Sequence, residues 1–265
     1  MDKEILNMEE AAELFGVSVK TFIKLLKEEK VPARKIGREW RFSRKALIDW
    51  LSSGDSQLYS ASEGETREFF NKVAPRWEQI RSNYYGETIK NKLIESGLLK
   101  KDMTVVDIGA GDGYLSIGIA KYVNKVIALD ISTEMLKTLK KNAETSGIKN
   151  IEALEADCLD IPIKGSKVDM VCSSMFLHHI EEPEAAIKEM YRILKPEGYV
   201  FLADFTKHDD LNLKEEMHDL WQGFDPEEVK YWFENCGYKN INIWVETVNK
   251  NKVKKSRVFI ITAAK

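Results

Sequence analysis

Residues 107–113 read Asp-Ile-Gly-Ala-Gly-Asp-Gly, an acid followed by glycines at 109, 111 and 113. Glycines at this density let the backbone turn tightly and let a ligand come close to the main chain. The spacing is G-x-G-x-G, not the G-x-G-x-x-G of dinucleotide binders. Asp107, just ahead of the turn, disfavours a pyrophosphate and suits a ligand with positive charge. A second acid, Asp130, stands 17 residues beyond Gly113. A carboxylate about 20 residues past a glycine turn can accept from both hydroxyls of a ribose. Asp157 and Ser173 follow, and then two adjacent histidines, His178 and His179.

These residues need a scaffold that brings them to one edge. Val105–Ile108 is a short apolar strand that runs into the glycines, and a helix follows. "KVIALDIS" (125–132) is a second buried strand ending at Asp130. "IEALEADCLDIPI" supplies a third with Asp157 just past it. "VDMVCSSMFLHHI" is a fourth, and "YRILKPEGYVFLADF" turns through Pro196–Gly198 into a fifth. Strands alternating with helices predict an α/β fold with a mainly parallel, doubly wound sheet. Ligands of such sheets lie at the C-terminal strand ends, where Asp107, Asp130, Asp157 and Ser173 would converge.

The combination resembles the class I methyltransferases that use S-adenosylmethionine. It rests on D-x-G-x-G-x-G (Asp107, Gly109, Gly111, Gly113), the acid Asp130, Ala156–Asp157 and R-I-L-K-P-x-G at 192–198, and covers about residues 66–265. The resemblance implies a seven-stranded Rossmann-like sheet and S-adenosylmethionine as cofactor, with S-adenosylhomocysteine as product. It implies that Gly109, Ala110, Gly111 and Gly113 let the backbone approach the methionine moiety. Asp130 would hold the ribose hydroxyls, with Ile131 flanking the adenine and Met135 also at the cofactor. Asp157 would accept from the adenine amino group, with Cys158 beside it. Glu197 departs from the pattern, since the family often has a second glycine there, and should affect only a turn.

Methyl transfer from a sulfonium is an in-line displacement, so the protein chiefly supplies alignment and a dry site. A general base is needed only for an acceptor that arrives protonated. His178 and His179, after the fourth strand, are candidates. So is His218 in "EEMHDLWQGFDPEEVKYWFENCGY", a segment that resembles the methyltransferases fused to ArsR-type repressor domains through His218, Trp221, Gly223 and Phe224. A packing motif that closes the last helix onto the sheet is the alternative for those four. Residues 66–97 read as helical and carry Phe69, Phe70, Trp77, Tyr84 and Tyr85. A stripe of aromatics at helical spacing is ordinarily core, but this one precedes the first strand, where a lid over the substrate would sit. Trp77, Tyr84, Tyr85 and Trp221 are therefore the candidate substrate or lid residues.

The first fifty residues differ. "NMEEAAELFG" predicts a helix with Ala11, Ala12, Leu14 and Phe15 on one face and Gly16 as its stop. "SVKTFIKLLKEEK" predicts a second, capped by Ser18, with Phe22, Ile23, Leu25 and Leu26 inward. The short turn between them is helix-turn-helix spacing. "VPARKIGREWRF" alternates as a hairpin around Gly37–Arg38, and "SRKALIDWL" closes with Ser43 as cap. From Lys20 to Lys45 ten basic residues (Lys20, Lys24, Lys27, Lys30, Arg34, Lys35, Arg38, Arg41, Arg44 and Lys45) face three acids, a net of about +7, the footprint of a polyanion binder. The pattern resembles the excisionase and MerR-type winged-helix module over residues 4–52. That resemblance implies DNA binding, with Lys20, Thr21 and Lys24 toward the major groove and Arg38 and Arg41 on the wing. Trp40 is either a group that meets DNA or part of the small core. A module kept only for interaction, with the basic residues a solvated face, is the alternative.

The chain is thus expected to hold a winged helix at 1–52, a flexible Ser/Gly/acid-rich linker at 53–65, and a methyltransferase domain at 66–265 with 66–97 as a helical lid. A length of 265 residues suits two unequal domains. Lys and Arg number 40 against 43 Asp and Glu, so the basic stretch is local. No apolar run is long enough to span a membrane, and "MDKEILNMEEAAEL" is not an export signal. Cys158, Cys172 and Cys236 are an odd, well-separated set that fits a reducing cytoplasm. They form no CxxC, so no metal ligand set is expected. The partners implied are a small-molecule acceptor, DNA, and a second copy of the chain, since small winged helices often need two copies to hold an operator. Two other functions fit the same motifs: a regulator that senses S-adenosylmethionine or a small ligand, and a nucleic-acid methyltransferase docked by residues 1–52.

Overall fold

The computed structural model describes residues 3–28, 31–37, 39–53, 56–82, 84–209, 217–248 and 256–265. The chain divides into two compact units, Met1–Glu63 and Gly64–Lys265.

The smaller unit begins with a strand that the sequence pattern does not reveal, β1 (Ile5–Leu6), too short to show a period. Helix α1 (Met8–Leu14) starts at Asn7, whose side chain accepts from the Glu10 N–H while the Glu10 carboxylate accepts from the Asn7 N–H. This reciprocal capping box satisfies two donors that the first turn leaves over. Gly16, at φ +66°, ends the helix as expected. Helix α2 (Val19–Glu28) is capped by Ser18, whose Oγ accepts from the Thr21 N–H. Strands β2 (Arg34–Ile36) and β3 (Glu39–Ser43) form the hairpin, and β1 pairs with β3 in the order β1-β3-β2. Helix α3 (Arg44–Ser53) closes the unit, with the Ala46 N–H on Ser43 Oγ. Phe22 lies at the centre, stacked on Phe15 and edge-on to Phe42. One inward assignment changes, since Ile23 is solvent-exposed, and of the two alternatives for Trp40 the core one falls away, its side chain being 37% exposed. Adjacent helix positions diverge by 100°, so Phe22 and Ile23 cannot both face one core.

Residues 56–65 are helical, not irregular. Helix α4 spans Ser56–Val73, so most of the segment expected as a linker has regular structure. Ser, Gly and acids oppose a helix only weakly, each by well under the cost of a proline. After α4 come a 3-10 turn (Ala74–Arg76), α5 (Trp77–Arg81) and α6 (Thr88–Glu95), in keeping with the helical reading of 66–97.

The larger unit is built on seven strands: β4 (Thr104–Ile108), β5 (Lys125–Asp130), β6 (Ile151–Glu155), β7 (Val168–Ser174), β8 (Leu194–Phe205), β9 (Lys239–Val248) and β10 (Ser256–Ala264). Their order is β6-β5-β4-β7-β8-β10-β9, parallel except for β10, which runs antiparallel to β8 and β9. Successive residues point to opposite faces. Val105, Val126, Met170, Phe201 and Ile260 pack with α5, α6, α7 (Tyr114–Ala120) and Met135 of α8 (Thr133–Thr145). Val106, Val171, Leu202, Phe259 and Ile261 pack with α9 (Pro183–Ile193) and α10 (Pro226–Cys236). The turn expected at Pro196–Gly198 is a distortion within β8, where Glu197 adopts φ +62°. That is the left-handed conformation in which glycine is at ease, and it accounts for glycine in the family pattern here.

Candidate active site

The strand order changes direction between β4 and β7, and the glycine turn leaves the sheet at that point. Gly109, Gly111 and Gly113 all have positive φ, at +69°, +53° and +93°. A Cβ on Gly109 would lie 2.2 Å from Phe176 Cδ2, and one on Gly111 would lie 3.4 Å from Trp77 Nε1. The first glycine is thus demanded by conformation and close approach together, and the turn passes between two aromatic rings.

The acids organise this turn. Asp130 Oδ2 accepts from the Gly111 N–H (2.8 Å) and Oδ1 from the Ser132 N–H (2.8 Å). The carboxylate therefore holds the glycine turn and the start of α8 in register. Burial pushes its pKa up to about 6, against the pull of those N–H donors. Asp107 is buried and accepts from Ser116 Oγ at 2.6 Å. Burial pushes it up to about 7, with the Ser116 hydrogen bonds opposing and the Asp130 charge adding to the rise. Ile131 is half-buried after β5, and Met135 is buried, its N–H on Ser132 Oγ. Asp157 is half-buried and accepts from the Leu159 N–H, with Cys158 buried next to it. Asp107 and Asp130 lie in the last two residues of β4 and β5, and Asp157 lies just past β6, on three neighbouring strands. Ser173 serves the sheet instead: its Oγ donates to the Ile108 carbonyl at 2.8 Å. The next residue, Ser174, has a buried Oγ without a hydrogen-bond partner at the same strand end.

The helices of 66–97 are tied to the turn by polar contacts that no motif announced. Arg81 Nε donates to both oxygens of Asp112, at 3.2 and 3.0 Å, and both side chains are buried. The Arg81 guanidinium also lies 4.6 Å from the centre of the Tyr114 ring. The Tyr114 hydroxyl donates to the Gly86 carbonyl, and Asn71 Oδ1 accepts from Ser132 Oγ. Trp77 and Tyr85 are buried and Tyr84 half-buried, with Phe70 edge-on to Trp77 and Tyr85 edge-on to Tyr114. Asp112 occupies a variable position of the glycine motif and Arg81 precedes the first strand, so only the fold shows them as a pair.

At the ends of β7 and β8 the structure gathers the histidines. His178 and His179 occupy a buried 3-10 turn (Leu177–His179), with ring centroids 4.0 Å apart. His178 Nδ1 is 2.5 Å from Asp204 Oδ1, and Asp204 also accepts from the Leu177 and Phe205 N–H groups. Asp204 and the neighbouring carboxylate of Asp219 raise the His178 pKa against the effect of burial. Burial, with the His178 charge next, holds His179 well below the usual imidazole range. His218 stacks on Phe69, and Phe70 is edge-on to His179, so the aromatic helix reaches this cluster. Trp221 is half-exposed, its Nε1 donating to the Ile180 carbonyl, while Leu220 and Trp221 N–H groups donate to the His178 carbonyl. A Cβ on Gly223 would lie 2.4 Å from the Thr206 carbonyl oxygen, and Phe224 is fully buried. Trp221, Gly223 and Phe224 thus pack this segment over the 177–180 turn, while His218 and Asp219 look into the cluster.

In the smaller unit Lys20 and Thr21 are exposed on the first turn of α2, and Thr21 Oγ1 bonds with Ser18 Oγ. Arg41 is paired with Glu39, and its guanidinium also donates to the Trp40 carbonyl. Lys30 and Arg38, and the side chains of Lys24 and Lys27, lie outside the described residues.

An open parallel sheet with an acid-anchored glycine turn at its switch point defines a Rossmann-like nucleotide-type site. Residues 99–257 match the family described as "Methyltransferase domain", and the chain belongs to that family. Residues 5–55 match the family described as "Helix-turn-helix domain". The chain is 30% identical over 169 residues to 2-methyl-6-phytyl-1,4-hydroquinone methyltransferase of Arabidopsis thaliana, covering 62% of this chain and 48% of that protein. It is 26% identical to methyltransferase YcgJ of Bacillus subtilis, over 61% of this chain and 63% of that one. The chain spans about half the length of most of the curated relatives it matches. Among solved structures, a SAM-dependent methyltransferase from Aquifex aeolicus superposes with a TM-score of 0.55 at 26% identity, over 69% of this chain and 92% of that one. Family and fold together imply S-adenosylmethionine as the cofactor. Among the described residues no helix is long and apolar enough to cross a membrane.

Proposed function

We propose that the larger unit transfers a methyl group from S-adenosylmethionine to a small-molecule acceptor, and that the smaller unit binds DNA. The observation that carries the first part is the Asp130 carboxylate, fixed by two backbone N–H groups across the mouth of a three-glycine turn. Its remaining lone pairs suit a ribose diol. The residues fit the cofactor in shape and charge. The positive φ of the three glycines shapes a tight turn beside Asp130, and two buried acids favour a cation. When bound, the cofactor supplies a methyl group on a sulfonium. Asp130 binds the ribose, Ile131 and Met135 flank the adenine side, and Asp157 with Cys158 meets its amino edge. Asp107 favours the ligand's positive charge. Phe70, Trp77 and Phe176 exclude water from the turn, and an electron-rich ring such as Trp77 steadies a nearby cation.

The acceptor side is the aromatic and histidine wall around Phe69, Phe70, His178, His179 and His218, with Tyr84, Tyr85 and Trp221 behind it. A wall of this kind suits an aromatic hydroxylated acceptor, and several relatives carry names of quinol and quinone methyltransferases. The experiment is direct. The purified chain is incubated with methyl-labelled S-adenosylmethionine and a panel of quinols, and in parallel with DNA and RNA. Label in a small molecule supports the proposal, and label in nucleic acid contradicts it. No turnover on any acceptor, with DNA affinity that changes on cofactor binding, makes the chain a cofactor-sensing regulator instead.

DNA binding rests on the helix-turn-helix match and on Lys20 and Thr21 exposed at the start of α2. Two copies on one operator, and residence in the cytoplasm, are the accompanying proposals.

A further inference from the structure

We propose that His178, His179 and Asp219 form a binding site for a divalent transition-metal ion of the zinc type. Their ligand atoms all lie within 4.8 Å of one another, and all three residues are buried. His178 Nε2 is 3.4 Å and His179 Nδ1 3.6 Å from Asp219 Oδ1, and His179 Nδ1 also lies 3.3 Å from the His218 carbonyl oxygen, a hydrogen bond that metal ligation would replace. The distances to Asp219 are long for N–H···O hydrogen bonds, which cluster near 2.9 Å. They match the edge of a tetrahedron with metal–ligand bonds of 2.0–2.2 Å, about 3.3–3.6 Å.

The second observation is the carboxylate itself. Asp219 is 3% exposed, and neither of its oxygens has a hydrogen-bond partner. An ionised carboxylate is costly to bury in that state. The third is the tautomer. Asp204 Oδ1, 2.5 Å from His178 Nδ1, accepts the N–H of that nitrogen, so in the neutral ring the Nε2 lone pair faces the Asp219 oxygen. Two acceptors that face each other call for a cation between them, a metal ion or a proton, and the separations fit a metal ion. The carboxylate–imidazole arrangement is the usual support for a metal-bound histidine, since it fixes the ring and raises its basicity. Charge agrees: the cluster holds two buried carboxylates, Asp204 and Asp219, and no Lys or Arg is ion-paired to either among the described residues. A dication with two neutral imidazoles balances them. Mixed nitrogen and oxygen donors suit zinc, iron, cobalt or nickel rather than magnesium or calcium. Three protein ligands leave a fourth position for water or an acceptor oxygen. That last role rests on the methyltransferase reading, whereas the metal site does not.

The test uses the full chain, stripped with EDTA and dialysed. Zinc binding is measured by calorimetry and metal analysis, and cobalt(II) is added to read the visible bands of a four-coordinate ion. The expected result is one equivalent of zinc per chain and a four-coordinate cobalt spectrum. Asp219→Asn should abolish both, and Asp204→Asn, which removes the support, should weaken zinc 10–100-fold. S-adenosylhomocysteine binding by each variant verifies that it is folded. Wild-type protein that binds S-adenosylhomocysteine but takes up no zinc or cobalt overturns the proposal and leaves the cofactor site standing. Equal zinc binding by Asp219→Asn also overturns it, since the ion would then be adventitious. If a variant fails to fold, the wild-type stoichiometry and spectrum alone decide.

Discussion

Arg81→Met is the perturbation that probes how the helices over the glycine turn are held. In the native protein Arg81 Nε donates to both oxygens of Asp112, and their side chains are 11% and 3% exposed. Methionine preserves much of the side chain's length and packing but leaves the Asp112 carboxylate buried without its cation. Burial already raises the Asp112 pKa, and the Arg81 charge is the main influence that opposes it. Removing one partner of a buried pair costs about 3–5 kcal/mol. Some solvent reaches Arg81, so the lower end applies, about 3 kcal/mol. A unit of this size loses about 2–4 °C per kcal/mol, so its melting temperature should fall by about 6–12 °C. Asp112→Asn added to Arg81→Met removes the stranded charge and should recover about 2 kcal/mol of the loss. Urea denaturation of wild type, both single variants and the double variant measures this coupling. A loss below about 1 kcal/mol for Arg81→Met, or additive effects in the double variant, would refute the claim that this pair holds the helices of 66–97 to the glycine turn.

Three further outcomes are expected. Glu197→Gly should stabilise the protein by about 1 kcal/mol in urea denaturation, because Glu197 occupies φ +62°, where a side chain is strained. S-adenosylmethionine affinity, measured by calorimetry, should rise between pH 6 and pH 8 as Asp107, raised to about 7, ionises to meet a cationic ligand. The Asp107 pKa also lies above its unfolded value, so the unliganded fold binds the proton more tightly than the unfolded chain does. Its contribution to stability is therefore full below about pH 4 and is lost as pH rises through 7. Asp107→Asn should flatten the affinity profile; an unchanged profile contradicts this assignment. Finally, Lys20→Ala and the pair Arg38→Ala/Arg41→Ala should each weaken DNA binding at low salt and leave methyl transfer intact. The slope of log affinity against log salt should fall by about 1 for each phosphate that the variant no longer neutralises. Unchanged DNA binding by the arginine pair would remove the wing assignment.

Five of the sheet's strands, β4 to β8, are legible because each carries its own apolar run bounded by polar or turn residues. The turn at 109–113, the acids at 107, 130 and 157 and the caps at Ser18 and Ser43 are local signals that tertiary packing does not override. What escapes is what depends on distance in the chain. Arg81 and Asp112, Asn71 and Ser132, and His178, Asp204 and Asp219 are ordinary residues until the fold brings them together. Residues 56–65 mislead because Ser, Gly and acid content marks a linker only by composition. Ile23 misleads because four apolar or aromatic positions within five residues of a helix cannot all be inward. Ser173 sits at the expected strand end, but its hydroxyl bonds to a neighbouring strand.

The central claim is that the Asp130-anchored glycine turn binds S-adenosylmethionine. Calorimetric titration of the wild-type chain and of Asp130→Ala tests it most directly. Two charge-assisted hydrogen bonds to a ribose contribute about 3 kcal/mol or more, so wild type should bind one equivalent and the variant about 100-fold more weakly. Wild-type protein that binds neither S-adenosylmethionine nor S-adenosylhomocysteine, or a variant that binds them equally well, would contradict the account.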